Sequence, residues 1–245
     1  MLVSLDDGRR TTVHVAEYPT DEFELRVTRL PAATSLLAWC DENDVEEALV
    51  GGFYVRDPQR PAGPGQGGMP LGSLRIAGEA SPTVAFDSPW GERRACVTAI
   101  DGEVLIARRD HLPQRPAGDL LQAGPMLVRD GRPAAHAEEG FSEGSEQFDS
   151  DITEGRHPRA ALGIADGRMI AVACEGRTAA EAGLTIGELA RTMVGLGAES
   201  ALNLDGGGST SMIREGRMRN VPREGDGTVI TGGRPIATAL TFIPR

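Results

Sequence analysis

The most informative stretch of this sequence reads Ala201-Leu202-Asn203-Leu204-Asp205-Gly206-Gly207-Gly208-Ser209-Thr210-Ser211. Its first four residues predict a strand, and three glycines then separate an aspartate from three hydroxyl side chains. A plain hairpin needs only one or two glycines, so the run favours a nest of backbone N–H groups that binds an anion such as a phosphate. A flexible hairpin loop is the alternative. The lysine of the phosphate loop of nucleotide hydrolases is missing, which argues against that class.

The residues before this stretch predict a hairpin and a helix. Ala161–Ala165 and Met169–Cys174 flank Asp166-Gly167, a turn dipeptide typical of hairpins. Thr185-Ile186-Gly187-Glu188 has the spacing of a capping box, so a helix is expected from there to about Leu196. The strand Ala201–Leu204 follows directly.

The first half of the chain is rich in strand patterns. Alternating polar and apolar residues in Arg10–Val15 and Glu22–Val27 predict half-buried antiparallel strands. Ser35 or Thr34 is expected to cap a short helix over Leu36–Cys40. A strand over Glu47–Val55 is interrupted by Gly51 and Gly52, which indicates a bulge or a close approach by a ligand.

Short apolar runs between turn signals continue from Ser73 to Arg132 and predict hairpins and a meander. Two other segments predict loops. The stretch from Asp57 to Gly68 is rich in proline and glycine. The stretch around 137–156 is acidic and poor in aliphatic residues, so we expect a solvated surface loop rather than a metal or partner site.

Composition excludes several classes of function. The chain has 245 residues, which favours one compact domain, and a formal charge of −11, which argues against nucleic acid or an anionic membrane as the main partner. All 25 basic residues are arginine, so Schiff-base chemistry is excluded. Cys40, Cys96 and Cys174 are widely spaced and odd in number, which favours a reducing compartment. The N-terminal residues show no basic region before an apolar stretch, so we expect a cytoplasmic protein.

A second polar cluster borders the predicted hairpin. Arg156-His157-Pro158-Arg159 precedes it and Glu175-Gly176-Arg177 follows it. If both lie at the same sheet end, the cluster suits a phosphate-bearing substrate, although a surface ion-pair network explains it equally well. The remaining histidines, His14, His111 and His136, stand alone in the sequence and are expected to be structural or exposed.

Several motifs together resemble the phosphodiester glycosidase family, in the family's order over roughly residues 48 to 242. The central matches are Gly183–Ala190, Leu196-Gly197-Ala198 and Ala201–Thr210. The supporting matches are Gly51-Gly52-Phe53-Tyr54, Gly124–Val128 with Asp130-Gly131, Arg156–Arg159, Glu175–Arg177 and Arg234–Leu240. The resemblance implies an α+β fold over residues 1–245, with twisted mixed or antiparallel sheets and a few packed helices. It also implies a hydrolase that cleaves the glycosidic C1–O bond of a sugar 1-phosphodiester.

The resemblance assigns expected roles to the motif residues. Asp205 is the expected nucleophile or base, Glu175 its acid/base partner, and His157 an aid to proton transfer, since an oxocarbenium-like transition state needs carboxylates. The expected phosphate and substrate ligands are Arg159, Arg177, Gly51, Gly52, Asn203, Gly206, Gly207, Gly208, Ser209, Thr210 and Arg234. No cofactor is expected to be required, although Asp205 and nearby oxygens leave room for a single divalent cation.

Two positions depart from the family pattern. Val50 stands where the family usually has asparagine, and Ala160 stands where it usually has threonine. The loss of these polar groups keeps a second hypothesis open, a carbohydrate- or phosphate-binding protein without catalysis. A third hypothesis is a metal-assisted phosphodiesterase that cuts the P–O bond. For the enzyme, a cytoplasmic bacterial location predicts nucleotide-linked or biosynthetic sugar phosphates as substrates.

Overall fold

The structure is a computed structural model of the chain and describes residues 1–31, 34–55, 68–86, 90–134 and 155–245. The predicted loop over Asp57–Gly68 and the predicted acidic loop around 137–156 lie almost entirely outside these ranges. None of the helices in the described part of the chain has the length and apolar composition needed to span a lipid bilayer.

Strands dominate the described residues. In chain order, β1 to β19 are Leu2–Ser4, Arg10–Pro19, Phe23–Arg29, Ala48–Val50, Tyr54–Val55, Met69–Pro70, Leu74–Ile76, Glu79–Ala80, Ala95–Ile100, Glu103–Arg108, Asp119–Gln122, Met126–Arg129, Arg132–Pro133, Ala160–Ala165, Arg168–Cys174, Ser200–Asn203, Met212–Arg214, Arg217–Met218 and Thr238–Pro244. The helices α1, α2 and α3 are Leu36–Glu42, Trp90–Arg93 and Ile186–Gly195, and single 3-10 turns form at Arg109–His111 and Gly207–Ser209.

The strands form three main antiparallel sheets. The largest has the order β1-β2-β15-β14-β16-β12-β13, and the other two have the orders β10-β9-β11-β7-β8 and β18-β17-β4-β19-β3. Strands β5 and β6 form a small separate ribbon. The single parallel pairing among the described residues is an isolated bridge between Leu71 and Val84. The expected α+β class with antiparallel sheets is therefore confirmed.

The seven-stranded sheet is buried on both faces. Neighbouring residues of β14 point to opposite sides, and Leu162 packs in the cluster that joins the three sheets, whereas Ala161 packs against α3. Leu189 and Met193 of α3 are fully buried on that second face. Burial on both faces explains why β14 and β15 read as nearly continuous apolar runs.

Local signals located most elements correctly. The hairpin of β14 and β15 forms around Asp166-Gly167, and Ser35 caps α1 by accepting a hydrogen bond from Ala38 N–H at 3.3 Å. Strand β11 is one of several strands that were not predicted. Its Asp119 is buried, because its carboxylate accepts hydrogen bonds from the N–H groups of Val27 at 2.8 Å and Ala77 at 2.6 Å.

Helix α3 begins with the predicted capping box. The Thr185 hydroxyl accepts a hydrogen bond from Glu188 N–H at 3.1 Å, and the Glu188 carboxylate accepts one from Thr185 N–H at 2.9 Å. The helix ends before Gly197, whose φ of +86° is in the left-handed region that favours glycine. Because α3 covers one face of the large sheet, its N-terminus contributes to the stability of the whole sheet.

Replacing Thr185 with alanine removes one side of this capping box. We expect T185A to lower the free energy of unfolding by about 1 kcal/mol, measured by urea denaturation. The control is T185S, which retains a hydroxyl that can cap the helix and should stay close to the parent. Equal stability of T185A and the parent would contradict this role for the cap.

Candidate active site

The glycine segment, Asp205–Ser211, leaves the large sheet at the end of its strand β16. Asp205 N–H donates to the carbonyl of Gly51 at 2.9 Å, which joins the segment to the end of β4. Gly207–Ser209 then form one 3-10 turn, and Gly207 has a φ of +60°. The segment is mostly buried, and Asp205 itself is 9% exposed.

Two arginine side chains lie directly against the glycines. A β-carbon built on Gly207 would be 2.9 Å from Nη2 of Arg177, and one built on Gly208 would be 2.7 Å from Nη2 of Arg234. Any larger residue would displace these guanidinium groups. The absence of side chains at Gly207 and Gly208 lets two cations lie directly against the backbone of this segment.

The two guanidinium groups also influence each other. Burial lowers the pKa of Arg177, and the positive charge of Arg234 lowers it further, while Glu224 acts in the opposite direction. Arg177 donates through Nη1 to the carbonyl of Arg223 at 2.7 Å. Arg234 forms an ion pair with Glu224. A pair of neighbouring arginines is suited to bind an anion that both can share.

The backbone N–H groups of the glycine segment have other partners. Gly206 N–H donates to the Asp205 carboxylate at 2.8 Å, and Gly207 N–H donates to the carbonyl of Pro158 at 2.8 Å. The predicted nest of three converging amides is therefore not what these residues form. Side chains, rather than the N–H groups of Gly206 and Gly207, are left to bind an anion.

Arg159 also differs from its predicted role. Its side chain is 2% exposed and donates through Nε to Leu184 O at 2.6 Å and through Nη2 to Gly155 O at 3.0 Å. Burial lowers its pKa to about 10. Arg159 holds neighbouring loops together, so it is not retained among the proposed phosphate ligands.

Arg156 belongs to an ion-pair network, which was the alternative interpretation of the cluster formed by Arg156–Arg159 and Glu175–Arg177. It donates to Glu188, the capping-box carboxylate, and to Asp7 at 2.6 Å. Burial is the largest single influence on the pKa of Glu188 and acts to raise it, but the hydrogen bonds from Arg156 and Thr185 and the charge of Arg156 together lower the pKa. Arg156 therefore stabilises the start of α3.

Glu175 lies at the end of β15, at the same sheet end as Arg159. One carboxylate oxygen lies 3.0 Å from Nε2 of His14 and 3.0 Å from the N–H of Val221, and the other oxygen accepts from the same N–H at 3.2 Å. His14 was expected to be structural or exposed, and it is partly buried in this contact with Glu175. The contact was missed because His14 is 161 positions away, on the neighbouring strand β2.

Several polar side chains of the glycine segment and the strand before it are buried. Asn203 donates through Nδ2 to Leu204 O at 2.8 Å, while its Oδ1 has no hydrogen-bond partner in the described residues. The same holds for the hydroxyls of Thr210 and Ser211. Ser209 is buried and completes the 3-10 turn. Whether Asn203, Ser209 and Thr210 contact a substrate remains a prediction.

Asn220 supports the segment and was not predicted. It is 3% exposed, donates through Nδ2 to Thr210 O at 2.8 Å, and accepts from Met212 N–H at 2.9 Å. These two bonds hold the backbone on both sides of Ser211. The dipeptide Asn220-Val221 carried no motif, so no sequence signal indicated this role.

His157 contributes its backbone to an isolated bridge with Leu184, through hydrogen bonds of 3.0 and 3.2 Å, and its side chain is half-buried. Its role in proton transfer stays a prediction. No group of three or more potential metal ligands occurs among the described residues.

The glycine pair before β5 makes the close approach that the sequence indicated, but the partner is the protein itself. A β-carbon on Gly51 would lie 2.8 Å from the carbonyl carbon of Thr238, and one on Gly52 would lie 2.9 Å from the carbonyl oxygen of Gln122. Gly52 N–H donates to the Thr238 hydroxyl at 2.9 Å. These glycines position Asp205 through the carbonyl of Gly51.

Replacing Gly51 with alanine forces a β-carbon against the backbone of Thr238, which cannot rotate away. We expect G51A to lower the free energy of unfolding by about 1–3 kcal/mol in urea denaturation. The control is G195A, because a β-carbon at Gly195 meets no atom within 4 Å. If both variants are as stable as the parent, the packing described for Gly51 is wrong.

Comparison with known proteins identifies the class. A family model described as phosphodiester glycosidase matches residues 43–243. The chain therefore belongs to the phosphodiester glycosidase family, a class of hydrolases, and the resemblance noted in its motifs is confirmed. A search of curated proteins gave no match.

Solved structures share the fold. The zebrafish N-acetylglucosamine-1-phosphodiester alpha-N-acetylglucosaminidase catalytic domain, auto-inhibited by its pro-peptide, superposes with a TM-score of 0.73 at 18% identity, over 100% of this chain and 81% of that one. A putative exported protein from Burkholderia pseudomallei gives 0.72 at 16% identity, over 99% and 76%. A hypothetical protein from Synechocystis gives 0.65 at 17% identity, over 100% and 61%.

Proposed function

We propose that this glycosidase hydrolyses the C1–O bond of a sugar 1-phosphodiester and binds the phosphate through Arg177 and Arg234. The observation that carries the proposal is the convergence of these two guanidinium groups on the α-carbons of Gly207 and Gly208. Asp205 begins the same segment. The arrangement supports a phosphate subsite beside a carboxylate, which is the pair of groups that this reaction needs.

The reaction follows from the charges of these groups. As the C1–O bond breaks, its electron pair goes to the phosphate oxygen, and the two arginines stabilise the departing anion. Asp205 supports the positive charge that develops at C1, as nucleophile or as the base that takes a proton from water. In the proposal Glu175 is its acid/base partner and His157 assists proton transfer. The oxygen of water ends on C1 and the phosphate departs intact.

We further propose that the enzyme is bacterial and cytoplasmic, and that it acts on nucleotide-linked or biosynthetic sugar phosphates without a required cofactor. Composition supports this: every basic residue is arginine, as a GC-rich genome favours, and all three cysteines are buried and free of disulfides. In the proposal the partner is this small substrate, and neither nucleic acid nor a membrane is involved.

The variant D205N tests the role of the carboxylate. We expect turnover to fall by about 10³-fold, because asparagine cannot act as nucleophile or base, while binding of the intact substrate stays within a few-fold. The assay measures free sugar released from a panel of sugar 1-phosphodiesters that includes UDP-sugars, with and without EDTA. The control is D130N, at a turn residue whose side chain is 93% exposed. Equal turnover by D205N and the parent would refute the assignment.

A non-catalytic carbohydrate- or phosphate-binding protein is the second candidate. The buried positions Val50 and Ala160 favour it, since both are apolar where the family usually has polar residues. Val50 N–H donates to Ser211 O at 2.9 Å, so this change lies beside the glycine segment. Binding without turnover across the panel would support this candidate. Turnover that EDTA abolishes would support a metal-assisted phosphodiesterase.

A further inference from the structure

The proposed phosphate subsite contains a carboxylate as well as two arginines. Glu224 forms an ion pair with Arg234, and its negative charge also acts on Arg177. Glu224 therefore cancels one of the two guanidinium charges beside Gly207 and Gly208. An anion site would bind more strongly without Glu224, so the presence of this residue needs an explanation.

Glu224 is held in place by its own backbone. Its N–H donates to Thr228 O at 2.8 Å, and its carbonyl accepts from Gly227 N–H at 3.0 Å, which closes a tight turn. A β-carbon on Gly227 would lie 2.9 Å from the carbonyl oxygen of Arg177. The turn therefore packs on the backbone of Arg177, and the Glu224 carboxylate contacts the guanidinium group of Arg234.

The other charged side chains of this turn have different partners. Arg223 donates through Nη1 to Gly227 O at 3.0 Å. Asp226 is fully exposed, and the hydrogen bond that Thr228 N–H donates to its carboxylate at 2.9 Å lowers its pKa. Glu224 forms an ion pair with Arg234, and no other carboxylate among the described residues forms an ion pair with Arg177 or Arg234.

Phosphodiesters and phosphomonoesters respond differently to a subsite in which one of two arginine charges is cancelled. A phosphodiester carries one negative charge, whereas a phosphomonoester carries close to two above pH 7. We propose that Glu224 is a specificity-determining residue that sets the subsite charge for a singly charged phosphodiester and disfavours doubly charged phosphomonoesters. This inference rests on the proposed phosphate subsite. In an enzyme that releases a phosphomonoester, such a residue also weakens inhibition by that product.

The test compares two small probes at pH 8, dimethyl phosphate with one charge and methyl phosphate with two. Dissociation constants are measured by titration calorimetry for the full chain and for E224Q, which keeps the shape and removes the charge. We expect E224Q to strengthen methyl phosphate binding about tenfold more than dimethyl phosphate binding. The charge of Asp205 is the same in both proteins, so it cancels from this comparison of ratios.

The control is E215Q, which removes a carboxylate from the surface ion pair of Glu215 with Arg219. It should leave the ratio of the two dissociation constants unchanged. The variant R234Q should weaken both probes, which locates them at the subsite. Suppose that E224Q leaves the ratio of the two dissociation constants within twofold of the parent, while R234Q weakens the binding of both probes. The role of Glu224 is then overturned, and the proposed phosphate subsite is supported. If neither probe binds the parent, or R234Q leaves both unchanged, the subsite itself is refuted.

Discussion

The packing of two guanidinium groups against the α-carbons of Gly207 and Gly208 determines the form of the candidate site. Arg177 reaches the segment from the end of β15, and Arg234 reaches it from the loop before β19. In this arrangement both cations occupy space that a β-carbon on Gly207 or Gly208 would take. The rest of the site is arranged to maintain this approach, because two like charges separate unless surrounding groups hold them.

Three sets of contacts hold the site together. Arg177 donates a hydrogen bond to the carbonyl of Arg223, and Glu224 forms an ion pair with Arg234. The Glu175 carboxylate accepts a hydrogen bond from the N–H of Val221. Asn220 fixes the glycine segment from the same loop. The loop from Asn220 to Arg234 is therefore part of the site, although Arg234 was its only residue among the predicted ligands.

The sequence predicted those parts of the fold that depend on local signals. The turn at Asp166-Gly167 and the capping box at Thr185 depend on residues within a few positions of each other, so each could be located directly. Strand β11 could not, because Asp119 has a strand conformation only where distant N–H groups satisfy its carboxylate. The order of strands in the sheets depends equally on long-range pairing.

The same difference between local and long-range information applies to the candidate site. Motif positions indicated which segments meet, and Arg177 and Arg234 do lie against the glycines. The motif positions did not indicate the direction of each side chain or backbone N–H group. Arg159 is two positions from His157 in the motif, yet its guanidinium is buried against backbone carbonyls, and the Gly207 N–H bonds to Pro158. His14 reaches Glu175 only through the pairing of β2 with β15.

In the proposed reaction, carboxylates act at C1 while arginines hold the leaving phosphate. The most direct measurement is hydrolysis of a sugar 1-phosphodiester in ¹⁸O-labelled water, followed by mass analysis of both products. We expect the label to enter the free sugar, because water attacks carbon and the phosphate keeps all its oxygens. Label in the phosphate product would contradict it, since the bond broken would then be P–O.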